Sequence, residues 1–307
     1  MNTRRTLKLK CLPPYDFDLS MKIFSNGNKQ IRRYEEGKFW QILRVNQKLV
    51  LATLRASGTV DVPEVSAELE SDHEISGADE QKCRQLLNIL LGTKLDLRSF
   101  YRKAKTDEIM KDITQKLKGL KVPSTTTVFE ALVDSIVEQQ ISLSVAHVLE
   151  VNLIKKYGDH LDLESGVYYA YPTPRALARA EIRDLRDRGL STRKAEYIRN
   201  VSEMIVEGKL DLEILKKCSD ANRIIEELDN IKGIGVWTAE LTVVRAMQKY
   251  DVIPADDLGL RRVISHFYFK GEKVNADVAR EIAKKWGKWK GLASFYLVVA
   301  EILENGQ

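Results

Sequence analysis

Apolar and polar positions alternate along the first 70 residues of the chain. A period of two is typical of β-strands that bury one face. Turn-forming pairs interrupt the alternation at 36–37, 46–47 and 57–58, where Glu-Gly, Asn-Gln and Ser-Gly stand. Such pairs favour tight hairpin turns. We therefore predict a small antiparallel β-sheet domain over residues 1–90.

After Asp79 the period changes to that of an α-helix. Apolar residues then recur every three or four positions, as they do in helices that bury one face. Examples are Leu86, Leu87, Leu90 and Leu91, and later Leu132, Ile136, Val137 and Ile141. Short breaks with glycine or proline separate further helical patterns. The expected fold class is α+β, with the sheet domain followed by a mainly helical body over 91–307.

The composition fits this organisation and adds an indication of function. The chain has 307 residues, of which 44% are hydrophobic, which suits about two domains with real cores. Its net charge of +5 leans toward a nucleic-acid partner. There is neither a run of about 18 apolar residues nor the apolar segment of a secretory signal. We expect no membrane association and a cytoplasmic location.

The three cysteines are Cys11, Cys83 and Cys218, and they lie far apart. This spacing predicts free thiols in a reducing compartment and no disulfide framework. The cysteines are too scattered to ligate zinc or an iron–sulfur cluster, and so are the four histidines. We therefore expect no iron–sulfur cluster and no cofactor for chemistry.

A glycine-rich turn, Ile-Lys-Gly-Ile-Gly at 231–235, separates two helical patterns. It lacks the preceding strand of a dinucleotide motif and the Lys-Ser/Thr pair of a P-loop. Gly233 and Gly235 permit positive φ and close backbone approach. The N–H groups of 233–236 open the next helix, where the helix dipole favours one phosphate. The Thr238 hydroxyl can add a contact, and carbonyls across the turn can hold a monovalent cation. An ordinary helical hairpin is the alternative.

Two aspartates, Asp256 and Asp257, follow Pro254 at the start of another helical pattern. An aspartate in this position commonly serves as the N-cap of the helix, and a cap alone is the alternative to a catalytic role. The preceding helix, residues 236–248, is about 20 Å long. The chain then returns through 249–257, so one carboxylate can lie at the edge of a cleft near the hairpin.

Two segments resemble the HhH-GPD superfamily of DNA glycosylases: LDNIKGIGVWTAE at 228–240 and DVIPADDLGLRR at 251–262. Within it, the chain is most similar to the AlkA-type alkylpurine glycosylases. Four further stretches carry the resemblance: PPYDF, FEALVDSIVEQQIS, GLSTRKAEYI and WGKWKGLASFYL. The resemblance implies a sheet domain like that of the TATA-binding protein (TBP-like) and two helical subdomains. It also implies a hairpin at 224–248 and a catalytic loop at 249–262.

The resemblance also implies roles for single residues. The catalytic aspartate of the family corresponds to Asp257, which leaves Asp256 as the helix cap or as a solvent-facing residue. The expected phosphate contacts come from Gly233, Gly235, Val236 and Thr238. The backbone carbonyls expected to hold a structural Na⁺ or K⁺ ion belong to Asp229, Ile231 and Ile234.

The position of the Schiff-base lysine in bifunctional members of the family is occupied by Trp237. The resemblance therefore implies a monofunctional enzyme, with Trp237 and Trp289 as aromatic walls of the base pocket. A cationic alkylated base is attracted to such aromatic faces. Packing in the core is the alternative for each tryptophan. Three further expected pocket positions are less aromatic than in the bacterial pattern: Leu241, Leu258 and Ile23.

The loop EQQIS at 138–142 resembles the segment that enters the DNA stack when the damaged nucleotide is flipped out. Gln140 falls at the family's wedge position, where its amide can bond to the orphaned base. Ile141 is the next candidate. The alternative is a buried helix end.

The implied function is a monofunctional DNA glycosylase that acts as a monomer on double-stranded DNA in the prokaryotic nucleoid. It would release alkylated purines, chiefly 3-methyladenine. Breaking the N-glycosidic bond builds positive charge on the sugar, which one carboxylate stabilises. A cationic purine then leaves without a protein acid. Two alternatives stay open: a glycosylase for 8-oxoguanine or hypoxanthine, and a non-catalytic protein that binds damaged DNA.

Overall fold

A computed structural model describes residues 3–25 and 27–306 of the chain. Its N-terminal part contains five strands: β1 Thr3–Lys10, β2 Arg32–Glu35, β3 Lys38–Val45, β4 Lys48–Thr59 and β5 Val62–Ser71. They form one antiparallel sheet in the order β1-β5-β4-β3-β2. Because β1 pairs with β5, the two ends of this segment meet in the sheet. The predicted antiparallel sheet is therefore present.

Two of the three predicted hairpin turns are confirmed. Glu36-Gly37 joins β2 to β3 and Asn46-Gln47 joins β3 to β4, all with the positive φ of tight hairpins. The turn predicted at Ser57-Gly58 is wrong, because β4 continues to Thr59. Gly58 has φ +86° within the strand, and a Cβ there would lie 2.3 Å from the Val62 carbonyl oxygen. The glycine thus serves a close strand approach rather than the turn itself.

Two helices complete the sheet domain, α1 Phe17–Phe24 and α2 Gly77–Leu90. Asp16 caps α1, and Ser76 forms a capping box with Asp79 at the start of α2. One apolar core unites the sheet with these helices and includes Phe39 and Leu87, which are both fully buried. That core ends at Leu91, while the domain boundary at residue 90 stays a prediction.

The rest of the chain is mainly helical. Its helices are α3 Arg98–Ala104, α4 Glu108–Lys116, α5 Val128–Glu138, α6 Leu143–Tyr157, α7 Pro174–Ala178, α8 Ile182–Asp187, α9 Thr192–Val206, α10 Leu212–Lys217, α11 Ala221–Asp229, α12 Val236–Met247, α13 Leu258–Phe269, α14 Ala276–Ala283 and α15 Lys290–Glu304. A 3₁₀ helix, Lys284–Trp289, joins α14 to α15. The predicted α+β organisation is confirmed.

The helices pack as two groups, as expected for two subdomains. Helices α5 to α12 contact one another, whereas α3 and α4 pack with the C-terminal helices α13 to α15. The chain therefore leaves the second group after α4 and returns to it at α13. Both groups share one continuous apolar core. Residues at the α12–α13 connection lie where the two groups meet.

A second, two-stranded sheet interrupts the mainly helical body, and no strand was predicted in this part of the chain. Its strands are β6 His160–Leu163 and β7 Gly166–Tyr169. Leu161 and Ala170 pack with Ile42 and Leu51 of the large sheet. Four residues per strand carry little periodic signal, so the long-range packing that stabilises the hairpin decides its formation. Among the described residues, no helix is long and apolar enough to cross a membrane.

A cluster of acidic residues joins the sheet domain to α5 and α6, and we call it the acidic junction. The guanidinium of Arg32 lies 3.8 Å from Glu130 and 3.2 Å from Glu150. Tyr171 donates to the Asp134 carboxylate at 2.7 Å. Burial, followed by the neighbouring Glu150 and Glu130, raises the pKa of Asp134 well above its usual value. Burial likewise raises the pKa of Glu130. The junction is a buried contact that holds the two domains together.

Candidate active site

The helical hairpin predicted at the glycines is present between α11 and α12. Gly233 has φ +93°, and a Cβ there would lie 2.1 Å from the Tyr197 ring, so the turn requires glycine. Gly235 differs from the prediction. Its φ is −88°, which suits any residue, and a Cβ there would meet open space. Because Gly235 has no side chain, it leaves the N-terminus of α12 uncovered.

Gln139 links the hairpin to the loop that precedes α6. Its amide donates to the Gly233 carbonyl and to the Thr238 hydroxyl, each at 3.0 Å. Thr238 is only 2% exposed, so its hydroxyl serves this internal contact, and this geometry does not support the expected phosphate contact. Gly235 and Val236 are exposed and begin α12. Their N–H groups remain the candidate phosphate site.

The carbonyls assigned to a monovalent cation surround the turn of the hairpin. The Ile231 carbonyl accepts a bond from the Ile234 N–H at 2.9 Å, and a carbonyl oxygen has a second lone pair for a further partner. Asp229 is the last residue of α11. The ion at Asp229, Ile231 and Ile234 stays a prediction. Over residues 3–25 and 27–306, no group of three His, Cys, Asp or Glu side chains is arranged to hold a metal.

The loop between α5 and α6 presents the expected wedge residues to solvent. Gln140 is exposed and has φ +57°, an uncommon conformation for a residue other than glycine. Ile141 is 36% exposed and lies beyond the end of α5 at Glu138. The helical pattern that included Ile141 is therefore wrong at that residue. Exposed apolar residues continue into α6 at Leu143, Val145 and Val148.

Asp257 is held by two donors from different elements. Its Oδ1 accepts from the Leu260 N–H at 2.7 Å, which makes Asp257 the N-cap of α13. Its Oδ2 accepts from the indole Nε1 of Trp237 at 2.9 Å. These donors and the positive end of the α13 dipole complement a negative charge. The carboxylate is thus oriented while Asp257 stays partly exposed.

Of the two roles expected for Asp256, helix cap or solvent-facing residue, the structure shows the second. The Asp256 side chain is 53% exposed and lies 3.1 Å from Arg280. An N-cap accepts from a backbone N–H two or three residues ahead, and Asp257 makes that bond with Leu260. Capping and a partly exposed position beside the hairpin helix α12 are therefore combined in Asp257. They are not alternatives, as the sequence alone suggested.

The two tryptophans differ in their surroundings. Trp237 and Leu241 lie one turn apart in α12, and both are partly exposed and outside the residues packed on the apolar core. Trp289 packs on that core, with ring centroids 5.9 Å from Phe100 and 6.4 Å from Tyr250. Core packing therefore accounts for much of the Trp289 surface. Trp237 stays partly exposed beside Asp257.

The remaining expected pocket residues are spread more widely. Ile23 belongs to α1 but packs against the helical core. Leu258 is 76% exposed and encloses nothing in this conformation. Two surface cavities, of about 730 and 440 Å³, are lined by other residues than Asp257 or Trp237. The structure thus brings Asp257 and Trp237 into contact and places Leu241 one turn further along α12, whereas the exposed Leu258 begins α13.

Three residues at the site escape the sequence patterns: Gln139, Glu240 and Arg280. Glu240 is 7% exposed and contacts Arg280 at 3.5 Å. It lies three residues after Trp237 and four before the buried Val244, hence on the same side of α12 as these apolar residues. A charged residue on that side was an available signal. No sequence signal indicated the contacts of Gln139 and Arg280, because their partners are distant in sequence.

Comparison with known families identifies the class of protein. Residues 133–288 match the model of the HhH-GPD superfamily base excision DNA repair protein. The match covers slightly more than half of the chain. The chain therefore belongs to the HhH-GPD superfamily.

Individual relatives are more specific. A Bacillus subtilis protein named DNA-3-methyladenine glycosylase is 33% identical over 204 residues, which are 66% of each chain. DNA-3-methyladenine glycosylase 2 of Escherichia coli is 28% identical over 60% of this chain and 61% of its own. The chain thus aligns with less than two thirds of the length of these relatives. The solved 3-methyladenine DNA glycosylase of Archaeoglobus fulgidus superposes with a TM-score of 0.84 and 28% identity, covering 97% of this chain and 98% of that one.

The solved 8-oxoguanine glycosylase/lyase of Clostridium acetobutylicum bound to DNA has a TM-score of 0.76 with 19% identity, over 100% of this chain and 99% of that one. At that identity the likeness shows the fold alone.

Proposed function

We propose that this protein is a monofunctional DNA glycosylase that flips alkylated purines, 3-methyladenine above all, out of double-stranded DNA. It hydrolyses their N-glycosidic bond and so initiates base excision repair. The observation that carries the proposal is the Asp257 carboxylate, which Trp237 and Leu260 orient beside the hairpin. Membership of the superfamily and the names of the relatives support the reaction class.

The chemistry follows from charge. When the purine departs, positive charge develops on the deoxyribose. The Asp257 carboxylate stabilises that charge and can orient the attacking water, and a cleft that excludes water strengthens both effects. An N3- or N7-alkylated purine is already cationic, so it leaves without a proton donor. Trp237 occupies the position of the Schiff-base lysine, so water is the nucleophile and no strand cleavage follows.

The surfaces around Asp257 suit a DNA duplex. Exposed N–H groups at Gly235 and Val236 would hold one phosphate, with a Na⁺ or K⁺ ion at the hairpin carbonyls as a structural support. Gln140 would fill the gap left by the flipped nucleotide. We propose that the protein acts as a monomer on the DNA of a prokaryotic cytoplasm, which its bacterial relatives support.

The test is base release from DNA methylated at purines, measured by chromatography of the free bases. Asp257→Asn keeps an acceptor for Leu260 but loses the charge, so we expect release to fall by about 10²–10³-fold with DNA binding retained. Asp251→Asn is the matched control, because Asp251 is an exposed aspartate of the same connection. We expect wild-type rates from it.

Several results would contradict parts of the proposal. Equal release by the wild type and Asp257→Asn would remove Asp257 from the chemistry. Binding without any release would leave a DNA-damage binding protein. Release of 8-oxoguanine or hypoxanthine in preference to 3-methyladenine would change the substrate. Strand cleavage without added base, or trapping by borohydride, would exclude the monofunctional mechanism.

A further inference from the structure

Arg280 of α14 contacts two carboxylates from other elements. Its Nη2 lies 3.1 Å from Oδ2 of Asp256 and 3.5 Å from Oε1 of Glu240. Asp256 directly precedes Asp257, whereas Glu240 belongs to α12. We call these three residues the Arg280 network. The network joins α12, α14 and the connection that precedes α13. It therefore spans the two helical groups.

The position of Glu240 is unfavourable for a charged carboxylate. It is 7% exposed, and its Oε2 is buried without a hydrogen-bond partner. Burial raises its pKa to about 7, and Asp256 adds to the increase, whereas Arg280 opposes it. A buried acid with an incomplete set of partners destabilises a fold. Residues of this kind are concentrated at functional sites.

The network runs beside the contact that orients Asp257. Trp237 and Glu240 lie one helical turn apart on α12. They are linked to two adjacent residues of the connection before α13, Asp257 and Asp256. Trp237 donates to Asp257, and Glu240 reaches Asp256 through Arg280. The turn is further closed by the bond from the Asp257 N–H to the Pro254 carbonyl at 3.0 Å. A displacement of Asp256 would therefore turn the Asp257 carboxylate.

We propose that Arg280 is a positioning residue for Asp257, acting through Asp256 and braced by Glu240. The inference rests on the proposed glycosylase function. Arg280 touches no reacting atom: it sets the place of the carboxylate relative to the deoxyribose of the flipped nucleotide. Displacements of about 1 Å at such a carboxylate can cost up to 10²-fold in rate. An exposed ion pair of purely structural value would contribute little.

The test is the single-turnover rate of 3-methyladenine release with enzyme in excess. Arg280→Ala should lower this rate by about tenfold, while its dissociation constant for a duplex with a tetrahydrofuran abasic analogue stays that of the wild type. Arg280→Lys keeps a cation and should recover part of the rate. Arg199→Ala is the control, because Arg199 makes an exposed ion pair with Glu203 within α9. Its rate should equal that of the wild type.

The readouts separate positioning from stability. A rate for Arg280→Ala within about twofold of the wild type overturns the inference. So does an equal loss for Arg280→Ala and Arg280→Lys that tracks a lowered melting temperature. Asp256→Asn should reproduce the loss, and the double variant should not add to it, because both changes break one network. If the wild type releases no base, the proposed function fails and this inference with it. If the wild type releases base and Arg280→Ala releases it at the same rate, the inference fails while the proposed function stands.

Discussion

Two regions of this protein use carboxylates differently, namely the surroundings of Asp257 and the acidic junction. Asp257 is partly exposed and accepts from Trp237 and Leu260, one bond to each oxygen. In the junction, Glu130 and Glu150 are almost fully buried and share the guanidinium of Arg32. The first region holds an oriented and partly exposed carboxylate, whereas the second closes an interface between the sheet domain and the helices.

The difference teaches that the partners of an acid, more than its presence, determine its use. Crowded and buried acids raise each other's pKa, as for Asp134, and they need a cation to remain in place. A carboxylate with N–H donors and access to solvent is available to a substrate. Glu240 combines the two conditions, because it is buried but linked to the cleft through Arg280.

The largest effect should come from breaking the junction with Arg32→Met. It leaves Glu130 and Glu150 buried without their cation, so we expect the free energy of unfolding to fall by about 3–5 kcal/mol in urea denaturation at neutral pH. The raised pKa of Glu130 makes its charge disappear as pH falls, so the deficit should shrink in acid. Adding Glu150→Gln should recover part of it. Unchanged stability of Arg32→Met at neutral pH would refute the structural role, and a rate loss per folded molecule would place the junction in the chemistry.

A smaller effect is expected in the cleft from Trp237→Phe. The phenylalanine keeps an aromatic wall but lacks the N–H that orients Asp257. Hydrogen bonds to charged groups contribute about 1.5–3 kcal/mol, so we expect a rate of base release lower by about 10- to 100-fold. Trp40→Phe is the control, since the Trp40 indole donates to the Lys29 carbonyl far from the cleft. Wild-type rates from Trp237→Phe would show that the Trp237 N–H is not needed and that its ring serves only as a wall of the base pocket.

The smallest effect tests Glu240, which lies between the two conditions. Its folded pKa of about 7 exceeds the usual 4.5, so stability present in acid is lost as pH rises from about 4.5 to about 7. Glutamine cannot ionise. Glu240→Gln should therefore be more stable than the wild type by about 1–2 kcal/mol at about pH 8, with a smaller difference at about pH 5.

Melting temperatures across this range measure the effect of Glu240→Gln. The charged neighbours Arg280 and Asp256 are unchanged in the variant. Glu227→Gln, at an exposed pair with Arg223, should show no such trend. A Glu240→Gln variant that loses stability equally at all pH values would contradict the raised pKa.

Much of the site could be predicted from local patterns. The glycines of the hairpin and the Pro-x-Asp-Asp segment lie within about thirty residues of each other, and each feature follows from its own backbone requirements. Gly233 illustrates this, because its positive φ is a property of one residue in one turn. The sheet and the helices likewise follow from periods of two and of three to four residues.

The errors arose where a local sequence pattern was compatible with more than one arrangement of the chain. Asp256 was expected to be either the cap or a solvent-facing residue, and only the position of the Leu260 N–H shows that Asp257 is the cap. The short strands β6 and β7 form because Leu161 and Ala170 find apolar partners on the large sheet. Gly235 was given a conformational role although its φ is ordinary.

What the sequence by itself determined was the class of fold and the hairpin, and its resemblance to the superfamily singled out Asp257 as the candidate for the chemistry. Only the tertiary structure decided that Trp237 donates to Asp257, twenty residues away, and that Arg280 contacts Asp256 and Glu240, which lie 24 and 40 residues from it. The physical reason is that periodicity and turn chemistry report the burial and conformation of a residue. They do not report which distant side chain will complete its hydrogen bonds.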